Sequence, residues 1–248
     1  MSLDLTDISF SYGRRQVLKD ITTAFPRGAT ALLGPNGAGK STLLELLASV
    51  RVADRGEVQL GGVGPLQRRA APLRRYRRAV AWLPQSVTVY PGLKLREHVA
   101  YEGWLKGMDR RSAWREAEAA LDVVGLLPKA GELANRLSGG QRRRLGIAGA
   151  LVHQAQVVLL DEPTAGLDPA QRKTFRTVLE RIAADRVVVV SSHDTDDAHS
   201  AFDRAVVLRE GSIVFEGTMD QFVAETPADD DMRDRIERAY IALVQEEI

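Results

Sequence analysis

A glycine-rich segment in the N-terminal third of the chain supplies the clearest chemistry in the sequence. Residues 34–41 read Gly-Pro-Asn-Gly-Ala-Gly-Lys-Ser, which fits the pattern G-x-x-x-x-G-K-[ST]. Glycines let main-chain N–H groups turn inward around phosphate oxygens without a clash of Cβ atoms. The segment follows a predicted strand at residues 29–33 and opens a predicted helix at about 40–50, and the N-terminus of that helix adds a partial positive charge. We therefore predict that it binds phosphate groups.

Two side chains of this segment have specific predicted roles. Lys40 would reach the β- and γ-phosphates of a nucleotide and take part in catalysis, and Ser41 would ligate Mg²⁺. The plain alternative is a glycine turn that caps an ordinary helix, but a chance match is expected in roughly one such chain in a hundred. The residues predicted to bind the nucleotide here are Gly34, Pro35, Asn36, Gly37, Ala38, Gly39, Lys40, Ser41 and Thr42.

Two carboxylates follow an apolar run at residues 157–160. A wholly apolar run is typical of a strand buried on both faces of a parallel sheet, and ligands bind at the carboxyl ends of such strands. Asp161 is predicted to hold Mg²⁺ directly or through water, and Glu162 to be the general base that polarises an attacking water. Taken alone, this pair would more simply be two polar residues in a turn that follows a strand. Because a phosphate-binding segment is also present, the catalytic interpretation is preferred.

A histidine follows a second apolar run, at residues 187–191. If the two strands are neighbours, His193 lies at the same sheet edge as Glu162 and would contact the γ-phosphate or hold the attacking water. A single histidine at a strand end more often only caps the strand, so position alone leaves both interpretations open.

The elements that must position these residues follow from periodicity. Segments of strand length alternate with amphipathic helical segments, which predicts an α/β fold with a mostly parallel sheet. Closely spaced strands at residues 3–10, 17–25 and 56–60 predict an antiparallel β subdomain at one edge of that sheet. Residues 93–106 and 112–124 are predicted as helices of a helical subdomain.

Helix signals in the second half set the predicted domain limits. A long helix is expected at residues 139–153, and Asp168 followed by proline is typical of a helix start, with aspartate at the N-cap and proline at the first position. We predict one domain at residues 1–226, with the helical subdomain at about 86–150, and a short helical tail at 227–248 that packs on the domain.

The composition excludes several classes of protein. The chain has 248 residues, a formal net charge of +1 and no cysteine. This charge gives no global basic surface for nucleic acid, and the lack of cysteine excludes disulfides, thiolate catalysis and cysteine-ligated metals. The longest apolar runs are strand-sized, far short of the roughly 20 residues that cross a bilayer. If the protein acts at a membrane, another chain is expected to hold it there.

A five-residue segment indicates the family. Residues 137–141 read Leu-Ser-Gly-Gly-Gln, identical to the signature sequence of ATP-binding cassette (ABC) proteins. Five motifs of that family stand in its order over about residues 3–220, so the chain resembles the ATP-binding subunits of ABC transporters, of the single-cassette bacterial exporter type. The resemblance implies a P-loop NTPase core that uses Mg²⁺ with ATP. No core motif is degenerate, which predicts an active ATPase.

The resemblance also implies roles for individual residues. Tyr12 would stack on adenine, and Gln85 would contact Mg²⁺ and sense the γ-phosphate. Glu162 matches the catalytic glutamate and His193 the switch histidine. Asp168 would be the D-loop aspartate at a dimer interface, a role that competes with its N-cap role, although both can hold. The signature residues would cap the γ-phosphate of ATP bound to the other subunit; they are Ser138, Gly139, Gly140 and Gln141.

Two anion sites in one chain predict a dimer. Ser138 and two glycines open a helix and so make a second anion site. One subunit does not need two γ-phosphate sites, whereas two subunits arranged head to tail do, with each ATP between the phosphate loop of one and the signature of the other. ATP would then join a homodimer, or a pseudo-symmetric dimer, that opens after hydrolysis.

The segment at residues 89–99 bears on the transport direction. In the family this part faces the membrane partner, and here it is similar to a segment common in single-cassette bacterial exporters. This favours export through a separate membrane-spanning permease, with the chain peripheral on the cytoplasmic face of the cell membrane and without a nucleic-acid partner. Tyr101, Trp104 and Leu105 would form an apolar patch for the permease, or else pack inside the helical subdomain.

Other functions remain as alternatives. The nearest is the cassette of a small-solute importer, and the next is a soluble ABC ATPase that takes no part in transport. Ribosome-remodelling cassettes usually occur in pairs within one chain, and DNA-organising cassettes carry a long coiled coil between the phosphate loop and the signature; neither pattern is present. The arginine-rich stretch at residues 68–78 is interpreted as a solvated helix face, with contact to acidic lipids or to the permease as the alternative.

Overall fold

The structure, a computed structural model, describes residues 1–61, 70–193, 202–224, 226–227 and 231–244. Its strands are β1 (Ser2–Tyr12), β2 (Arg15–Pro26), β3 (Gly28–Leu33), β4 (Arg55–Leu60), β5 (Val80–Leu83), β6 (Val157–Asp161), β7 (Val187–Ser192), β8 (Arg204–Arg209) and β9 (Ser212–Thr218). Its helices are α1 (Lys40–Leu47), α2 (Ala70–Ala79), α3 (Leu95–Leu105), α4 (Arg110–Val123), α5 (Gly139–Leu151), α6 (Pro169–Ala183), α7 (Met219–Phe222) and α8 (Met232–Val244).

A six-stranded sheet in the order β5-β6-β7-β3-β8-β9 forms the centre of the molecule. All its neighbouring pairs are parallel except β8 with β9. The residues of β6 and β7 are buried throughout, as expected for strands covered on both faces. The predicted α/β fold is thus confirmed, and the order of the strands brings the carboxyl ends of β6, β7 and β3 to one edge.

The antiparallel strands form a sheet of their own, in the order β2-β1-β4. The predicted antiparallel β subdomain is confirmed, and its strands form a separate sheet and do not extend the parallel one. Leu3, Leu5 and Ile8 of β1 are buried in one core cluster with Leu43 of α1 and Val157 of β6. The two sheets therefore share a core that includes α1, because an antiparallel sheet with one apolar face must cover that face with another layer.

Helices α3, α4 and α5 form a helical region beside the central sheet. Leu121 of α4, Leu145 of α5 and Leu83 of β5 belong to a single core cluster, so this region is continuous with the sheet. Asp109 is the N-cap of α4, and its carboxylate accepts hydrogen bonds from two main-chain N–H groups of the first turn. Among the described residues, none of the helices has the length and apolarity needed to span a membrane.

The C-terminal part packs on strands β3 and β8 of the central sheet. Ile236 and Ala239 of α8 are buried in a cluster with Leu33 and Val207. The short helix α7 has no counterpart among the elements predicted from the sequence. Part of the arginine-rich stretch, including Arg68 and Arg69, lies outside the described residues.

Candidate nucleotide-binding and catalytic site

The phosphate cradle, residues 34–41, lies between β3 and α1. Its last glycine, Gly39, is the N-cap of α1 and has a φ of 106°, in the left-handed region that favours glycine. A Cβ atom added there would come within 2.8 Å of a methyl group of Leu18. No side chain of the described residues caps α1, so its first N–H groups are available to an anion.

Lys40 lies within the cradle and is almost fully buried, with 5% of its surface exposed. Its Nζ donates to the carbonyl oxygens of Gly34, at 2.6 Å, and of Pro35, at 3.1 Å. Burial lowers the pKa of the ammonium from its ordinary value, and the charges of Glu162 and Asp161 oppose that shift. The two carboxylates thus help to keep the charge that would attract a phosphate.

The Asp161 carboxylate ends β6 and is buried. Its Oδ1 accepts hydrogen bonds from Ser41 Oγ, at 3.1 Å, and from Ser191 Oγ, at 2.6 Å. A hydroxyl and a carboxylate are oxygen ligands of the kind that Mg²⁺ prefers, and Mg²⁺ is commonly held by one or two such groups together with the phosphates of a nucleotide. The residues present therefore fit a magnesium ion.

Glu162 is held at both of its carboxylate oxygens. Gln85 Nε2 donates to Oε2 at 3.0 Å, and His193 Nδ1 lies 3.1 Å from Oε1. The main chain of Glu162 has a φ of 45°, which is uncommon for a residue other than glycine and costs of order 1–3 kcal/mol. Because β6 and β7 are neighbours, His193 and Glu162 meet at one sheet edge, as predicted.

Lys40, Ser41, Gln85, Glu162 and His193 line one cavity of about 640 Å³, whereas Asp161 is not among its lining residues. Tyr12 contributes to its wall and is 43% exposed, and the guanidinium of Arg51 lies 4.8 Å from the centre of its ring. The tyrosine is therefore placed at the open side of the cavity, where a nucleotide base could reach it. The lining residues are Tyr12, Arg15, Val17, Asn36, Gly37, Gly39, Lys40, Ser41, Thr42, Gln85, Glu162 and His193.

The signature residues do not belong to this cavity. None of Ser138, Gly139, Gly140 and Gln141 is among its lining residues in the described part of the chain. Ser138 is the N-cap of α5: its Oγ accepts from the N–H of Gln141 at 3.4 Å, and Gln141 Oε1 accepts from the N–H of Ser138 at 3.1 Å. The two predicted anion sites are thus separate within one chain.

Asp168 is the N-cap of α6, as predicted, and accepts from the N–H of Gln171 at 2.8 Å. The amide group of the same glutamine lies so close to Gly140 that a Cβ atom there would collide with it. The start of α6 therefore supports the start of α5. The expected dimer-interface role of Asp168 stays a prediction.

Sequence reasoning missed two residues that organise the site. Ser191 accepts from the N–H of Glu162 at 2.9 Å while it donates to Asp161. Arg143, on α5, is buried and donates to the carbonyl oxygens of Pro84, Gln85 and Glu162. The sequence signal for Ser191 was a hydroxyl at the end of an otherwise apolar strand. The signal for Arg143 was a run of three arginines on a helix that must place one face against the sheet.

Comparison with known proteins agrees with this geometry. The family model described as "ABC transporter" matches residues 18–165. The linearmycin resistance ATP-binding protein LnrL of Bacillus subtilis is 30% identical over 220 residues, covering 87% of this chain and 69% of that protein. The phosphonates import ATP-binding protein PhnC of Chromohalobacter salexigens is 38% identical over 211 residues, covering 81% and 78% respectively.

A solved structure shows the same fold. The dimeric structure of MJ0796, described as a bacterial ABC transporter cassette, superposes with a TM-score of 0.78 at 25% identity, and the match covers 87% of this chain and 98% of that chain.

Proposed function

Since the chain belongs to the ABC transporter family as one of its ATP-hydrolysing subunits, we propose that it powers export through a separate permease as an ATP-driven head-to-tail dimer. The observation that carries this proposal is the separation of the signature from a cavity that holds most of the phosphate cradle together with Gln85, Glu162 and His193. A chain that needs both sites for one ATP must obtain the second from a partner.

Within the cavity we assign the chemistry as follows. Glu162 accepts a proton from the water that attacks the γ-phosphorus of ATP, and the bond from that phosphorus to the β-phosphate oxygen breaks. Gln85 and His193 orient the carboxylate from both sides. Lys40 and the N–H groups of the cradle stabilise the negative charge of the phosphates.

Mg²⁺ would be held by Ser41, Asp161 and Gln85, and it would supply positive charge beside the phosphates. Ser41 and Asp161 already lie within hydrogen-bond distance of each other, and Gln85 bonds to the neighbouring Glu162. Tyr12 would stack on adenine, since it is half-exposed at the rim of the cavity.

The dimer follows from the second anion site. We assign Ser138, Gly139 and Gly140 to the γ-phosphate of ATP held by the partner's cradle, and Asp168 to the contact between subunits. The similarity to a dimeric cassette structure supports this arrangement. We also assign residues 1–226 to the ATPase domain, including a helical subdomain at about 86–150, and 227–248 to the tail.

An exposed patch on α3 is the proposed contact with the permease. Tyr101, Trp104 and Leu105 are 38%, 56% and 51% exposed, so they do not pack inside the helical region. The rings of Tyr101 and Trp104 stack with their centres 5.7 Å apart. A neighbouring pocket of about 620 Å³ is lined by Arg74, Arg78 and other residues of α2, and by Leu105 at the end of α3 with the two residues that follow it. Exposed aromatic groups beside a basic pocket favour a protein partner.

The direction of transport is the finer part of the proposal. Residues 89–99 and the likeness to a resistance protein favour export. Import is the second candidate, because a phosphonate import protein shares 38% identity with this chain. With the permease at the membrane, the chain would lie on the cytoplasmic face.

Co-purification from the native membrane tests the partner. The tagged chain is extracted with a mild detergent, and we expect a polytopic membrane protein at near-equal stoichiometry. Trp104→Glu should lose that protein, because it places a charge in the apolar patch. Ile241→Glu is the matched control: Ile241 is also exposed, at 39%, but it lies on α8, which packs on β3 and β8. Recovery of ribosomes, DNA or no partner would contradict the transporter proposal.

Reconstitution of that complex in liposomes tests the direction. With the chain on the outer face, we expect a panel of amphiphilic compounds to stimulate ATP hydrolysis when added outside, since an exporter takes its cargo from the side of its ATPase. Stimulation only by compounds sealed inside the liposomes would indicate import.

A further inference from the structure

Arg143 is a buried cation whose hydrogen bonds all go to main-chain atoms. It lies on the second turn of α5 and is 8% exposed. Its guanidinium donates to the carbonyl oxygens of Pro84, at 3.3 Å, of Gln85, at short range, and of Glu162, at 2.7 Å. Burial lowers the pKa of Arg143 and the charges of Asp161 and Glu162 oppose that effect, but an arginine stays protonated in either case.

The three carbonyl oxygens belong to two segments whose side chains meet in the cavity. Gln85 and Glu162 are bonded to each other through their side chains at 3.0 Å, and Arg143 holds the main chain of both. A planar guanidinium can span two segments with its two terminal nitrogens, which a single ammonium cannot do.

The bond to Glu162 acts on a residue with an unusual backbone. Glu162 has a φ of 45°, and its N–H and its carbonyl are each held, by Ser191 Oγ and by Arg143 respectively. Removing one of these bonds lets the backbone relax toward a common conformation. The carboxylate would then move away from the place that Gln85 and His193 define.

We infer that Arg143 is a positioning residue. It links α5, the helix that begins at the signature, to the catalytic edge, which is the edge of the sheet where Gln85, Glu162 and His193 meet. The position of Glu162 therefore depends on the position of α5. Helix α5 begins directly after Ser138, only about 7.5 Å along the helix axis from Arg143. This inference rests on the proposed dimer: contact of Ser138 with the partner's ATP would set the position of α5 and, through Arg143, that of Glu162 in its own chain. Each bound ATP would thereby prepare the other site for hydrolysis.

Arg144→Met provides a matched control on the same helix. Arg144 Nη1 donates to the carbonyl oxygen of Val124 at 3.1 Å, which lies at the end of α4 and away from the catalytic edge. The substitution removes an arginine and a main-chain hydrogen bond from α5 and leaves the bonds to Gln85 and Glu162 in place. A role of Arg143 in helix stability alone would affect both variants alike.

The test compares steady-state ATP hydrolysis and thermal melting of the full chain and its variants. Arg143→Met should lower kcat at least about ten-fold with KM changed less than about three-fold, because substrate binding is kept while the base is misplaced. Arg144→Met should keep kcat within about two-fold at a similar loss in Tm. A wild-type kcat in Arg143→Met, or an equal loss of kcat in both variants at equal Tm, would overturn the inference.

Arg143→Lys keeps the test valid if the methionine variant does not fold. It retains the charge but holds only one of the two segments, so kcat should fall about three-fold or more; a full wild-type kcat would overturn the inference.

ATP-dependent dimerisation of Glu162→Gln, with and without Arg143→Met, is measured by sedimentation. If Glu162→Gln alone stays monomeric, the proposed dimer fails; if both dimerise, the kinetic result decides on Arg143.

Discussion

Helices α1 and α5 both begin in glycine-rich segments, and the two helix N-termini differ in how they are capped. At α1, the N-cap is a left-handed glycine without a side-chain cap, and Lys40 lies beside it. At α5, the N-cap is Ser138, and a reciprocal capping box with Gln141 already satisfies part of the helix end. The N-terminus of α1 has uncapped N–H groups and a neighbouring cation, which suit it to bind phosphate. The N-terminus of α5 is already capped by its own side chains, and it can contribute a hydroxyl and a few N–H groups to a phosphate bound elsewhere.

This difference suggests that the two helix N-termini have different roles in binding and hydrolysis. The cradle should provide most of the affinity for ATP, because it combines free N–H groups with a buried ammonium. The signature should add little to the affinity of one chain and should be needed for turnover. Substitutions at the two helix starts are therefore expected to have different kinetic signatures.

The largest effect is expected at the cradle. Lys40→Ala should weaken ATP binding by roughly 100-fold and abolish measurable hydrolysis, because it removes the buried positive charge beside the phosphates. Binding of a fluorescent ATP analogue to the purified chain measures the affinity. Lys106→Ala is a matched control, since the Nζ of Lys106 also donates to two carbonyl oxygens, those of Arg77 and Val80, but Lys106 is not among the residues that line the cavity. An unchanged affinity in Lys40→Ala would contradict the assignment of the cradle.

The next effect is expected at the signature. Ser138→Arg should reduce kcat by roughly 100-fold, because it blocks the surface proposed to meet the partner's ATP, and should leave the affinity of the monomer unchanged. The same fluorescence titration and a steady-state assay measure the two quantities. In a mixed dimer with one such subunit, only one of the two ATP sites should keep an intact signature. Two fully active sites in that dimer would refute the head-to-tail arrangement.

Acid should affect the helical region that carries the signature more than the cradle. Burial lowers the pKa of His98 on α3 to about 4, below the 6.5 of an exposed histidine. The folded state thus favours neutral His98, and the resulting stability is fully present above pH 6.5 and is lost as the pH falls through 4. Between pH 7 and pH 5 the loss is about 2 kcal/mol.

Hydrogen exchange at pH 7 and pH 5 measures this effect. Amides of α3, α4 and α5 should gain more exchange, corrected for intrinsic rates, than those of α1. His98→Leu should reduce the difference, although His153, whose pKa burial also lowers to about 4, leaves part of it. Equal loss of protection in α1 and α5 would refute the comparison.

The smallest effect is expected where α6 supports the signature. Asp168→Ala should cost about 1 kcal/mol of stability through loss of the N-cap, measured by denaturant unfolding. Asp168→Ser restores a cap and should restore stability. If Asp168 also contacts the partner, kcat should be low in the alanine variant and should remain low in the serine variant. Asp109→Ala, which removes the cap of α4, is the control for cap loss alone. Full recovery of kcat in Asp168→Ser would leave only the capping role.

The sequence predicted the parts of the molecule that depend on local patterns. Apolar strands, helix caps such as Asp168, and the glycine-rich cradle all follow from the residues within a few positions. The meeting of His193 with Glu162 depended on the assumption that β6 and β7 are neighbours, which the sheet order confirms.

Features that depend on distant packing were not predictable in the same way. The antiparallel strands form a separate sheet because α1 and the central sheet cover their apolar face, which no local pattern reveals. Arg143 reaches across to residues 84, 85 and 162, and one of three adjacent arginines cannot be distinguished without knowing which face of α5 is buried.

The most direct test of the two-site account is the oligomeric state of Glu162→Gln with ATP. This variant should bind ATP without turnover and should sediment as a dimer with ATP and as a monomer without it. Adding Ser138→Arg should keep ATP binding and abolish the dimer, because each ATP would then lack the second helix start. Normal turnover in Glu162→Gln, or a dimer that persists with Ser138→Arg, would contradict the claim that ATP is shared between the cradle of one chain and the signature of the other.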